Sequence, residues 1–130
     1  MNVNQFMPKI LIVDDNAANV LLLEKMLKIS SFNNIKTLTD SRQVIDLCNM
    51  YKPDLILLDF QMPFMDGLEI IDLLNNIKDY SRFPIIMISA ENGKEYYDKA
   101  LSKGVIDFIT KPFSYNDIIG KIKNALNYFN

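Results

Sequence analysis

Leu55-Ile56-Leu57-Leu58-Asp59 is an apolar run closed by a carboxylate. From Asp54 to Leu58 nearly every residue is apolar, the pattern of a strand covered on both faces. Two other stretches share this form. Ile10-Leu11-Ile12-Val13 is followed by Asp14-Asp15, and Phe108-Ile109-Thr110 by Lys111-Pro112. If these runs are neighbouring parallel strands, three carboxylates and one ammonium converge at one end of a sheet. At a separation of ~4 Å two such like charges repel by roughly 4 kcal/mol at an effective dielectric near 20. A cation relieves that repulsion. Hard oxygen ligands with open positions suit Mg²⁺, which keeps several waters and also holds phosphate; Mn²⁺ is the alternative. The pattern reads as a divalent-metal and phosphoryl site.

Working outward, strand-like runs alternate five times with amphipathic stretches. Strands are expected at Lys9–Val13, Asn33–Leu38, Asp54–Leu58, Pro84–Ile88 and Val105–Ile109. The first helix, Asn16–Ile29, carries Val20, Leu23 and Leu27 on one face. The second, Ser41–Tyr51, presents Val44, Leu47 and Cys48 and stops at Pro53. In the third, Asp66 and Glu69 have capping-box spacing, with Leu68, Ile71, Leu74 and Ile77 as its face. The fourth, Asn92–Ser102, is only modestly amphipathic, and Gly104 suits a left-handed exit from it. The last, Ser114–Tyr128, has Ser114 and Asp117 in capping-box spacing and an Ile118, Ile122, Ala125, Phe129 stripe. Strands alternating with helices imply an α/β fold, a parallel sheet with helices on both faces. Ligands then gather beyond the carboxyl ends of the strands, where the candidate residues stand.

The chain has 130 residues, which suits one domain; residues 1–7 read as a tail and 8–130 as the domain, with Phe6 a candidate to pack on the sheet edge. Hydrophobic residues make up 49%, which favours a packed core over disorder. Fourteen basic against 16 acidic residues leave no basic footprint for nucleic acid. No apolar run reaches the ~18 residues that span a bilayer, and the start lacks a signal-peptide stretch, so the expectation is cytoplasmic. Cys48 is the only cysteine, which excludes an intrachain disulfide and suits a small buried residue. There is no histidine, which excludes an imidazole base or histidine-ligated zinc within the chain.

Asp59 is the candidate nucleophile. A carboxylate can attack phosphorus and form an acyl phosphate, given a cation and an in-line approach. Asp14 and Asp15 would hold the cation, and one of Asp15 and Asn16 can also cap the first helix. Lys111 is either a solvated lysine or, before a proline in a tight turn, an ammonium aimed inward. Ser89, with small Ala90 after it, could donate to a phosphate oxygen or merely cap a helix.

With Val13-Asp14-Asp15, Leu58-Asp59, Met62-Pro63, Asp66-Gly67, Ser89-Ala90 and Lys111-Pro112-Phe113 in this order and spacing, the chain resembles the receiver domain of two-component response regulators over Pro8 to Tyr128. The resemblance implies a doubly wound, CheY-like and flavodoxin-like sheet of five parallel strands, in the order 2-1-3-4-5, with five helices. It implies that Asp59 accepts a phosphoryl group from a histidine kinase or phosphotransfer protein. Asp15, Asp59 and the Gln61 backbone carbonyl would hold Mg²⁺ directly, and Asp14 through a water. Lys111 would pair with Asp59 and later with the phosphoryl group. Ser89 and Phe108 would turn inward as switch residues, although Phe108 can equally be a static core ring. Many relatives have threonine and tyrosine at these two places, and phenylalanine lacks the hydroxyl. Gln61 and Glu91 would flank the hydrolytic water and tune signal lifetime. A face made of the fourth helix, fifth strand and fifth helix, with Lys94, Lys99, Lys121 and Lys123, would dock an effector or a second copy. Such a receiver is a phosphoacceptor switch, not an enzyme with an external substrate, and engages neither nucleic acid nor membrane directly.

Two other classes compete. A pseudo-receiver would bind partners without phosphorylation, against the complete acidic set and Lys111. A haloacid-dehalogenase-type phosphohydrolase would need a second Asp where Gln61 stands. A nucleotide switch is poorer still, for want of a glycine-rich phosphate loop after the first strand.

Overall fold

The structure, a computed structural model, describes residues 7–77, 83–90 and 96–126. Five strands, β1 (Ile10–Val13), β2 (Ile35–Leu38), β3 (Leu55–Asp59), β4 (Ile85–Ser89) and β5 (Asp107–Thr110), alternate with α1 (Ala17–Ile29), α2 (Val44–Tyr51), α3 (Gly67–Asn75), α4 (Tyr97–Ser102) and α5 (Tyr115–Ala125). The strands form one sheet in the order β2-β1-β3-β4-β5, and every pairing is parallel. This is the fold class and strand order that the resemblance implied.

The register explains why the central strands are apolar at every position. Along β1 and β3, side chains alternate between two cores. Ile10, Ile12, Leu55 and Leu57 face α1 and α5, with Leu23, Leu27, Ile118 and Ile122. Leu11, Val13, Ile56 and Leu58 face α2, α3 and α4, with Val44, Cys48, Ile70, Ile71 and Ala100. Burying each large aliphatic side chain stabilises the fold by about 1.5–3 kcal/mol. The edge strand β2 is different: Lys36 and Thr37 point into solvent.

The helices start and stop for local reasons. Asn16 caps α1 by accepting from the Asn19 amide. A 3-10 turn over Ser41–Gln43, capped by Asp40, precedes α2, which is why α2 is shorter than Ser41–Tyr51. Lys52 leaves α2 in the left-handed region at φ 53°, ahead of Pro53. In α3 the Asp66–Glu69 capping box is complete in both directions. Its buried face includes Ile70, whereas Leu68 is only partly covered. Gly104 exits α4 at φ 106°.

Two expectations are corrected. Val105 and Ile106 precede β5: the Val105 amide closes the end of α4 on the Ala100 carbonyl, the Ile106 amide makes the first bond to β4 at the Ile85 carbonyl, and the strand itself runs from Asp107. Ser114 takes the N-cap backbone of α5 but makes no side-chain cap bond, while Asp117 pairs with Lys121 at 3.3 Å. Phe6, Glu91, Lys94, Tyr128, Phe129 and the expected start of the fourth helix lie outside the described residues.

Candidate acidic phosphoryl site

The strand register assembles the site. Val13 pairs with Leu58, Asp59 with Ile88, and Ser89 with Thr110. Asp14 and Lys111 each stand one residue past their ladders, at the same carboxyl edge. Asp14, Asp15 and Asp59 each offer a carboxylate oxygen within 4.8 Å of the others. Lys111 Nζ lies 3.5 Å from Asp59 and 3.8 Å from Asp14. The Lys111–Pro112 peptide is cis, and the Lys111 amide donates to the Ser89 carbonyl at 3.0 Å.

The environments of the acids differ. Asp14 is fully buried, Asp59 is 3% exposed, and Asp15 faces solvent. Asp14 accepts from the Asn16 amide at 2.9 Å and the Asn19 side-chain amide at 3.3 Å. Asn16 therefore caps α1 while Asp14 is held toward the pocket. Burial pushes the Asp59 carboxyl up to about 7, and the Asp14 charge adds to that; Lys111 opposes it, and Asp15 raises it further. A buried carboxylate among acids is poorly compensated by one ammonium. The three oxygens with open access on the Asp15 side fit a hard divalent cation such as Mg²⁺.

Gly67 fixes the turn after Asp59. Its amide donates to the Phe60 carbonyl at 2.7 Å, and a Cβ there would meet the Asp59 carbonyl oxygen at 2.9 Å. Only glycine permits that approach. Gln61 is exposed and lines a hollow with Phe60, Met62, Pro63 and Asp66. Ser41 anchors the same loop by donating to the Pro63 carbonyl at 2.8 Å.

Ser89 is buried, and its hydroxyl lies 3.3 Å from the Tyr97 hydroxyl. Phe108 is half-buried and stacks on Tyr97 at 3.9 Å. Sequence reasoning missed Tyr96, Tyr97 and Asn19 as neighbours of the site. Asn19 had a signal, one helical turn past Asn16. The tyrosines had none, because their place depends on how α4 packs.

The sequence matches the family described as "Response regulator receiver domain" over residues 10–123. The chain belongs to that family. It is 38% identical over 120 residues to the alkaline phosphatase synthesis transcriptional regulatory protein PhoP of Bacillus subtilis, covering 91% of this chain and 48% of that protein. It is 32% identical to the polar-differentiation response regulator DivK of Brucella anthropi, covering 92% of this chain and 98% of that one. The receiver domain thus spans about half the length of some curated relatives and nearly all of others. Its fold matches the chemotaxis response regulator CheY4 of Vibrio cholerae with a TM-score of 0.84 at 24% identity, covering 93% of this chain and 100% of that chain. Membership is consistent with a role in two-component signalling.

Proposed function

We propose that this receiver domain is a phosphorylation-activated switch that takes a phosphoryl group onto Asp59 from the phosphohistidine of a separate kinase or phosphotransfer protein. The observation that carries the reading is a buried Asp59 with two further carboxylates within 4.8 Å and the Lys111 ammonium at 3.5 Å. Mg²⁺, held by Asp15, Asp59 and the Gln61 carbonyl, with Asp14 acting through a water, would supply the charge that neutralises phosphoryl oxygens. The ionised Asp59 oxygen forms a bond to phosphorus as the donor's nitrogen–phosphorus bond breaks. Lys111 favours that ionised form, and it offers an ammonium to the added group. Hydrolysis returns the carboxylate and inorganic phosphate, with Gln61 and Glu91 tuning access of water.

Phosphorylation adds about 1.5–2 negative charges. Ser89 and Phe108 then turn inward and shift the population of the α4–β5–α5 face. On that face Leu101 and Ile106 are about half exposed, and a hollow opens between Ile106, Asp107, Lys121, Asn124 and Ala125. Lys121 is engaged with the Phe108 carbonyl and Asp117, so Lys99 is a better docking cation there than Lys121. The partner there is an effector or a second copy. The chain is read as a phosphoacceptor without an external substrate, and as cytoplasmic, in line with its lone buried thiol at Cys48.

Acetyl phosphate with Mg²⁺ tests this by mass spectrometry. One phosphoryl group should appear on the native chain and none on Asp59→Asn; modification of the variant at another residue would overturn the assignment. Mg²⁺ alone should raise the melting temperature by linkage.

A further inference from the structure

Four aromatic rings run in contact along the α4 side of the pocket. Phe60, next after Asp59, lies flat on Tyr96 with centroids 3.6 Å apart and planes 10° apart. Tyr96 meets Tyr97 edge to face at 5.8 Å, and Tyr97 lies flat on Phe108. The two tyrosine hydroxyls differ sharply. That of Tyr97 reaches Ser89 Oγ at 3.3 Å. That of Tyr96 is buried and has no hydrogen-bond partner, alone among the buried side-chain nitrogen and oxygen atoms of the described residues.

The Tyr96 ring is anchored on Phe60, the residue after Asp59, and against Tyr97, whose hydroxyl reaches Ser89. Burial raises the pKa of the Tyr96 hydroxyl first; Ser89 opposes this, and the charges of Tyr97 and Asp59 add to it. The ring contacts place Tyr96 on the Ser89 side of the pocket, next to the strand end that carries Asp59. A phenol withdrawn from water with no acceptor is costly, and native structures retain few such groups. A phosphoryl group on Asp59 would bring strong acceptor oxygens into that neighbourhood.

We propose that Tyr96 is a phosphoryl-binding residue: its hydroxyl donates to an oxygen of the group carried by Asp59, while its ring, fixed on Phe60, shields the acyl phosphate from water. This rests on Asp59 being the phosphoacceptor. Tyr96 then acts with Ser89 and Lys111 as a third donor, approaching from α4. The resting hydroxyl without a partner becomes satisfied only in the phosphorylated state, so it biases the switch toward that state.

The test is Tyr96→Phe, which removes one oxygen and keeps the stack. Beryllofluoride with Mg²⁺ serves as the phosphoryl analogue, followed by amide NMR titration, and acyl phosphate decay is timed after acetyl phosphate treatment. Affinity should fall at least about tenfold, equivalent to about 1.4 kcal/mol, and decay should quicken. Without the analogue the melting temperature should stay level or rise, because no bond is lost. Equal affinity and lifetime in the variant would overturn the proposal while leaving the Asp59 reading intact. A clear fall in melting temperature without analogue would reveal a resting partner and also overturn it. Failure of the native chain to bind beryllofluoride would remove both. Tyr97→Phe is the comparison: it should not weaken analogue binding, and an equal loss in both variants would mean a loosened stack and defeat the assignment.

Discussion

Two crossings flank the pocket, and they are built in opposite ways. The β3–α3 crossing delivers Asp59, and the β4–α4 crossing delivers Ser89. In the first, Gly67 locks the turn, Asp66 and Glu69 close a full capping box, and Ile70, Ile71 and Leu74 bury the helix. In the second, α4 has six residues, no side-chain cap bond at Tyr96, and Ala100 as its buried residue. Rings replace caps there: Tyr96 leans on Phe60 and Tyr97 on Phe108. On the proposed reading, the side that would receive charge is locally over-determined, and the side that would respond is held by tertiary contacts, which a new charge can rearrange.

The largest effect that would sharpen this contrast is electrostatic. The Asp59 carboxyl is raised to about 7, so the folded chain holds a proton that the unfolded chain has released above its ordinary range near 4. The sign is that of a raised acid: its contribution is present below about pH 4 and lost as pH rises through about 7. Metal-free stability should therefore fall across that window by up to about 1.4 kcal/mol per pH unit. Asp59→Asn should flatten the slope and melt higher than the native chain at pH 8, while Ser89→Ala should leave the slope intact. An equal change in slope from both variants would break the contrast; thermal melts across pH in chelator decide it.

A smaller effect belongs to the caps. Asp66→Ala removes the acceptor for the Glu69 amide and should cost about 1 kcal/mol in urea unfolding. Smaller still is Tyr97→Phe, which loses one 3.3 Å contact to Ser89 and should change stability by about 0.5 kcal/mol or less. Its mark should instead appear in the amide shifts of Ser89 and Phe108. A stability loss larger than that of Asp66→Ala would reverse the contrast between the two crossings.

The first crossing was legible in the sequence and the second largely was not. Asp14, Asp59, Ser89 and Lys111 each end or follow a run of apolar residues, so period and position expose them. The Asp66–Glu69 box is written in three residues of spacing. Val105 misled because it is buried by closing α4 rather than by pairing in β5. Ser114 misled because spacing alone cannot say that Asp117 will prefer Lys121. Tyr96 and Tyr97 show no amphipathic period, and their value lies in rings contributed by Phe60 and Phe108, far away in the chain.

Both outermost strands, β2 and β5, are only four residues long, and the exposed Lys36 sits in the middle of β2. A stray chain seeking to extend the ladder would find few free amides and carbonyls and a charge among them, which disfavours amyloid-like stacking. Two folded copies therefore gain little by joining their sheets edge to edge, which leaves their helical surfaces as the better ground for association.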